Sequence, residues 1–136
     1  MTSSVLKVVA LDFGRARTGV AVSDPTGTVA RPLGVVEQAA TEAGLARVAA
    51  LVREEGAEQV VVGLPLTLRG ERGEQARETE AFVEALRAAV SVPVETFDER
   101  FTTTLAERGG NGSSRSAPDA RAAAHLLSGY LEWLRR

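Results

Sequence analysis

Val5-Leu-Lys-Val-Val-Ala-Leu-Asp12 is an apolar, β-branched run with one lysine break, and it stops at a carboxylate. The pattern predicts a buried central strand from Val5 to Leu11 with Asp12 at its carboxyl end. The next residues, Phe13-Gly14-Arg15-Ala16-Arg17-Thr18-Gly19, are turn-like and lead into Val20-Ala21-Val22. That arrangement predicts a hairpin returning antiparallel from Asp12. After a Ser-Asp-Pro-Thr-Gly turn, in which Asp24 reads as a turn residue, Thr28 to Val36 offers a third strand interrupted by Pro32. The opening third of the chain is therefore a three-strand meander.

Beyond it the period changes. Thr41 to Glu55 places Leu45, Val48, Ala49 and Val52 on one helical face, and Gly56 ends the helix. Gln59 to Leu64 is a short buried strand, followed by a long loop from Pro65 to Glu74. A second amphipathic helix, Gln75 to Val90, presents Thr79, Phe82, Val83, Leu86 and Val90, and a further strand spans Val92 to Phe97. A short helix near Thr103 to Arg108 and a Gly/Ser-rich segment precede the last helix. There Ala122, Ala123, Leu126, Leu127, Tyr130, Leu131 and Leu134 follow the three-four spacing, with His125 off the stripe and exposed. The order βββαβαβα describes an α/β fold, and 136 residues with 44% hydrophobic content suit one domain, residues 1–136.

Three of the four aspartates, Asp12, Asp98 and Asp119, lie at the ends of such core elements. Counting back one turn, Asp119 falls on the apolar stripe of the last helix and should point toward the sheet, although Ser116-Ala117-Pro118-Asp119 also reads as a capping box. Strands separated by αβα units can lie side by side, which would make Asp12 and Asp98 neighbours. Carboxylates held together are costly to ionise unless a cation neutralises them. Oxygen ligands with no cysteine and one histidine favour Mg2+ or Mn2+. Two such ions about 3.5 to 4 Å apart can activate water and stabilise the leaving oxygen of a phosphodiester.

The segments LDFGRARTGVAVSD, VVGLPLTLRGERGEQA, VETFDERFTTTLAER and DARAAAHLLSGYLE resemble, in order and spacing, the bacterial YqgF/RuvX family of the ribonuclease H-like superfamily. The resemblance covers nearly the whole chain. It implies a five-stranded mixed sheet of order 3-2-1-4-5 with helices on both faces. The implied activity is metal-dependent nucleolytic processing of the 5′ end of precursor 16S ribosomal RNA; the family has also been described as Holliday junction resolvase-like, which would make branched DNA the substrate. Carried over by position, Asp12 matches the strand-one acid, Asp98-Glu99-Arg100 the DER motif, and Asp119 the helix acid. Adjacent residues at a strand end point to opposite faces, so either Asp98 or Glu99 faces the metal; Asp98 is favoured, with Glu99 as the substitute.

Arginines flank these acids. Gly14, Arg15 and Arg17 beside Asp12, Arg69 and Arg72 in the long loop, Arg100, and Arg115 before the last helix are candidate phosphate contacts. For the glycines, turn geometry is the stronger reading. Thr102 and Thr103 read as helix caps, and Tyr130 as core. Phe13 replaces the tyrosine usual in the family, and the segment 109–118 lacks the lysine often found before the helix acid. Formal charge is −2, which gives no global attraction for a polyanion, yet fifteen of sixteen cations are arginine, the better bidentate phosphate ligand. Absence of cysteine and of a signal-like or membrane-length apolar run fits a soluble cytoplasmic protein, monomer or homodimer. Two rival readings are one half of an actin/Hsp70-like ATPase, suggested by the DFGRARTG start, and a non-catalytic RNA-binding ribosome-assembly module.

Overall fold

A computed structural model describes residues 7–67, 69–99 and 117–135. Five strands and three helices form among them: β1 (Val8–Asp12), β2 (Arg17–Ser23), β3 (Ala30–Glu37), α1 (Glu42–Glu54), β4 (Gln59–Leu64), α2 (Glu74–Ala89), β5 (Val94–Asp98) and α3 (Pro118–Leu134). The expected short helix near Thr103 to Arg108 lies outside the described residues.

The strands build one mixed sheet of order β3-β2-β1-β4-β5, as the resemblance implied. β1 to β3 form the antiparallel meander, whereas β1, β4 and β5 run parallel. Pro32 is tolerated because β3 is an edge strand, and the register shifts at Val20/Ala21 opposite it. The meander's second turn is held by Asp24, whose carboxylate accepts from the Thr26 hydroxyl and the Thr28 and Val29 amides, with Gly27 at φ 68°. One expectation fails: β4 lies between β1 and β5, so Asp12 and Asp98 are not on neighbouring strands. Each αβ unit adds its strand outward from the last, placing β5 at the far edge.

Strand alternation divides the core in two. Val9, Leu11, Val60 and Val62 face α1 and α2, where they pack with Val48, Val52, Phe82, Val83 and Leu86. Val8, Ala10, Val61 and Phe97 face α3 and pack with Ala123, Leu126, Leu127 and Tyr130. The Phe13 ring stacks on Phe82 with centroids 4.5 Å apart, fastening the start of the hairpin to α2. Tyr130 is core, as its periodicity implied, and its hydroxyl accepts from Gln59 Nε2 at 2.8 Å. The N-cap of α3 is Ala117, which has no side-chain acceptor, and Ser116, the capping residue that the sequence offered, lies outside the described residues. Pro118 instead occupies the first turn, where its missing N–H costs nothing.

The apolar stripe of α3 differs from the expected one at its edges. Ala120 and Gly129 join it, His125 is half-buried rather than exposed, and Leu134, the helix's last residue, is exposed. Leu127 and Leu134 therefore differ sharply: Leu127→Ala is expected to destabilise the protein by about 3 kcal/mol, and Leu134→Ala by less than about 0.5 kcal/mol. Urea unfolding of the two variants checks this, and equal losses would contradict the packing.

Candidate active site

Asp12, the last residue of β1, shares strand parity with Val8 and Ala10 and so faces α3. In β5 the residue with that parity is Phe97, which puts Asp98 on the opposite face and brings Glu99, one residue beyond the strand, back to the α3 side. The two carboxyl groups meet: Glu99 donates a hydrogen bond to Asp12 across the intervening strand β4. Of the two acids left open by the sequence, Glu99 makes the contact with Asp12, and the charge of Asp98 acts on Glu99.

The crossing is possible because β4 carries glycine at the crossing point. A Cβ on Gly63 would lie 2.7 Å from Glu99 Oε2 and 2.9 Å from its Cγ, so this hydrogen atom leaves the space the carboxyl occupies. A second glycine places the third acid. A Cβ on Gly19, the β2 partner of Asp12, would lie 1.8 Å from the carbonyl oxygen of Asp119, so the first turn of α3 rests directly on the β2 backbone. Sequence reading missed the role of Gly63, although glycine inside an otherwise β-branched strand is a mark of close approach.

The electrostatics follow from this crowding. Burial raises the pKa of Asp12, the hydrogen bond from Glu99 lowers it, and the charge of Asp119 raises it. Glu99 is pushed up to about 7, by burial first, then by the Asp12 charge, the hydrogen bond it gives to Asp12, and the Asp98 charge. The pair thus holds a proton near neutrality. Asp119 accepts from Arg17 Nε at 2.9 Å, and among the described residues no three acidic or histidine side chains converge on a single ion position.

The arginines expected to hold phosphate diverge. Arg17 lies on the α3 side with Asp119, whereas Arg15 crosses to α2, where Nε donates to Glu78 at 2.9 Å and a terminal nitrogen to Glu74 at 3.3 Å. Arg72 pairs with Glu80, and Arg69 is exposed. Arg100, Arg115, Thr102 and Thr103 lie outside the described residues. Gly14 serves the turn: a Cβ there would meet the Arg17 carbonyl oxygen at 2.6 Å. A groove of about 480 Å³ lined by Phe13, Gly14, Arg15, Glu74, Gln75 and Glu78 opens on the α2 side of the hairpin. The long loop is tied to itself, with the Glu71 amide donating to the Thr67 hydroxyl and the Gly70 amide to the Thr67 carbonyl, so these amides are already committed.

Two predictions follow from this geometry. Gly63→Ala should leave the fold intact but push Glu99 from Asp12, because the added methyl meets side-chain atoms that can move; Gly19→Ala meets backbone and should destabilise the protein by more than about 2 kcal/mol. Thermal unfolding of both variants, with the Glu99 carboxyl titration followed by NMR in Gly63→Ala, tests the contrast. The second concerns pH. Folded protein keeps the Glu99 proton up to about 7 whereas the unfolded chain releases it near 4.5, so this group's contribution is fully present below 4.5 and is lost as pH rises through 7. In EDTA, Glu99→Gln should therefore gain in Tm relative to wild type between pH 5 and pH 8 as an approximate window. A difference independent of pH would contradict it.

Comparison with known proteins agrees with the element order. The profile of the family described as "RuvX: Holliday junction resolvase" matches residues 6–133. A relative from Anaeromyxobacter sp. (strain Fw109-5) is 44% identical over 133 residues, 93% of this chain and 97% of its own length, and carries the name "Putative pre-16S rRNA nuclease". A relative of the same name from Chloroflexus aurantiacus is 48% identical over 101 residues, 74% of this chain and 66% of its own length. Among solved structures, T. thermophilus RuvC in complex with Holliday junction substrate superposes with a TM-score of 0.64 at 19% identity, covering 96% of this chain and 95% of that one. The Fowlpox virus resolvase superposes with a TM-score of 0.56 at 12% identity, over 96% of this chain and 100% of its own. These two likenesses establish the RuvC-like, ribonuclease H-like fold, and the family match, with the Anaeromyxobacter relative covered over 97% of its length, establishes that the chain belongs to the RuvX family.

Proposed function

We propose that this protein is a divalent-metal-dependent nuclease that hydrolyses phosphodiester bonds, processing the 5′ end of precursor 16S ribosomal RNA in the cytoplasm. The observation that carries the reading is the half-buried Asp12–Glu99 carboxyl pair, meeting over Gly63 within reach of the Asp119 charge. Two half-buried carboxyl groups pressed together without a cation between them is an arrangement that costs stability, and a hard cation relieves it. The donor set is all oxygen, which fits Mg2+ or Mn2+. When bound, such an ion supplies charge neutralisation and Lewis-acid activation of water at the phosphodiester.

In this reading Asp12, Glu99 and Asp119 hold the ions. Asp98, favoured as a ligand on sequence grounds, is replaced by Glu99 because strand parity turns it to the other face. Asp98 then acts through its charge on Glu99. Arg17 is the phosphate contact beside the acids; Arg15 and Arg72, both engaged by glutamates of α2, reach phosphate only by exchanging those partners. Such exposed pairs are worth less than about 1 kcal/mol and exchange readily. Arg69, Arg100 and Arg115 remain candidate contacts of the same class, and Gly14 allows the backbone close approach.

A second reading, Holliday junction resolution, is favoured by the family's own description. Symmetric cutting of a junction needs a two-fold dimer, whereas end processing of RNA does not. The test offers labelled precursor 16S fragment, single-stranded RNA and a four-way DNA junction with Mn2+, Mg2+ or EDTA. Metal-dependent cutting of the precursor is expected, lost in Asp12→Asn and Glu99→Gln and reduced about 10- to 100-fold in Asp98→Asn. Preference for the junction by a dimer would establish the resolvase reading. Equal RNA binding by wild type and Asp12→Asn with no cutting of any substrate would overturn both in favour of a binding module.

A further inference from the structure

Asp119 has one hydrogen-bonded side-chain partner among the described residues, Arg17, which donates through Nε at 2.9 Å. The backbone beneath that carboxylate is seated on Gly19 with no room for even a methyl group between them, so it cannot move closer to the sheet. The Asp119 side chain is 37% exposed and its partner 64% exposed, so solvent screens the pair and leaves it open to exchange. The Asp119 charge is felt by Asp12, yet no three acids among the described residues converge on one ion position.

We propose that Arg17 and the divalent cation compete for the Asp119 carboxylate, so that Arg17 holds Asp119 in the metal-free protein and is released to a substrate phosphate when the cation takes its place. This rests on the nuclease reading above. The competition follows from charge: a guanidinium and a divalent cation sharing one carboxylate repel each other, and the carboxylate's exposed oxygens cannot satisfy both fully. The terminal nitrogens of Arg17 make no hydrogen bond to the described residues, and release of Nε completes the edge that binds phosphate in a fork. Arg17 is thus a positioning residue for Asp119 as well as a phosphate contact, and it makes productive nucleic-acid binding follow metal binding.

The sign of its effect on metal distinguishes this from a structural role. Mn2+ affinity is measured by calorimetry in the absence of nucleic acid for wild type, Arg17→Ala, Arg17→Gln, Asp119→Asn and the double variant Arg17→Ala/Asp119→Asn, with circular dichroism to confirm folding. Removing Arg17 is expected to tighten Mn2+ binding by about fivefold, the size of an exposed ion pair, and to do nothing in the Asp119→Asn background. In EDTA, Asp119→Asn is expected to tighten binding of labelled single-stranded RNA, and that gain is expected to vanish when Arg17 is also removed. Unchanged or weaker Mn2+ binding in folded Arg17→Ala or Arg17→Gln would overturn the proposal, as would an equal gain in the Asp119→Asn background, which would be the general effect of losing a positive charge. In both cases wild type still binds Mn2+ in an Asp12-dependent manner, and the nuclease reading stands. If wild type takes up no more Mn2+ than Asp12→Asn, the metal site fails and the proposal falls with it.

Discussion

The first turn of α3 rests on the backbone of Gly19, so closely that the Asp119 carbonyl would collide with any side chain there. The rest of the site depends on that contact. It sets where α3 begins over the sheet, and the buried row from Ala120 to Leu131 holds it there through apolar area removed from water. With α3 seated, the α3 face of the sheet becomes the closed side of the site, and strand parity then selects which residues at the strand ends look into it. Asp12 and Glu99 do, and the missing side chain of Gly63 lets them meet across the strand that separates them.

Burying acids in this way opposes folding. Burial and the Asp12 charge hold a proton on Glu99, which it donates in a hydrogen bond to Asp12, and the charges of Asp98 and Asp119 act on the pair. The valine-rich faces of β1 and β4, fully buried on both sides, supply the stability that such an arrangement draws on. In the proposed reading a cation would offset this local cost.

The arginines complete the electrostatic picture. Net charge is −2, and Arg15, Arg17 and Arg72 each lie against carboxylates of the same chain. In the proposed reading, phosphate binding at these arginines would be an exchange of one anion for another rather than capture by an open cationic surface. The gain per contact would then be small, and binding built from such exchanges is expected to be weak and salt-sensitive. Arg15 and Arg17, two residues apart in the hairpin, face opposite sides of the sheet edge, one toward the groove at α2 and the other toward the acids under α3.

What the sequence determined by itself was periodicity and its breaks. Alternation and β-branching located the strands, three-four spacing located the helices, and carboxylates at the ends of apolar runs marked Asp12, the Asp98-Glu99 pair and Asp119, because these are local properties of the chain. Four ordered motifs carried the family and with it the strand order. Tertiary structure decided the rest, since each remaining question concerned which face a residue joins. The parity of Phe97 against α3, invisible without knowing where α3 packs, turned Glu99 toward Asp12 and Asp98 away. Insertion of β4 between β1 and β5 separated two acids that local reading placed side by side, and Gly63 restored the meeting through a different residue. The partners of Arg15 and Arg17 lie 63 and 102 positions away, and no spacing rule reaches that far.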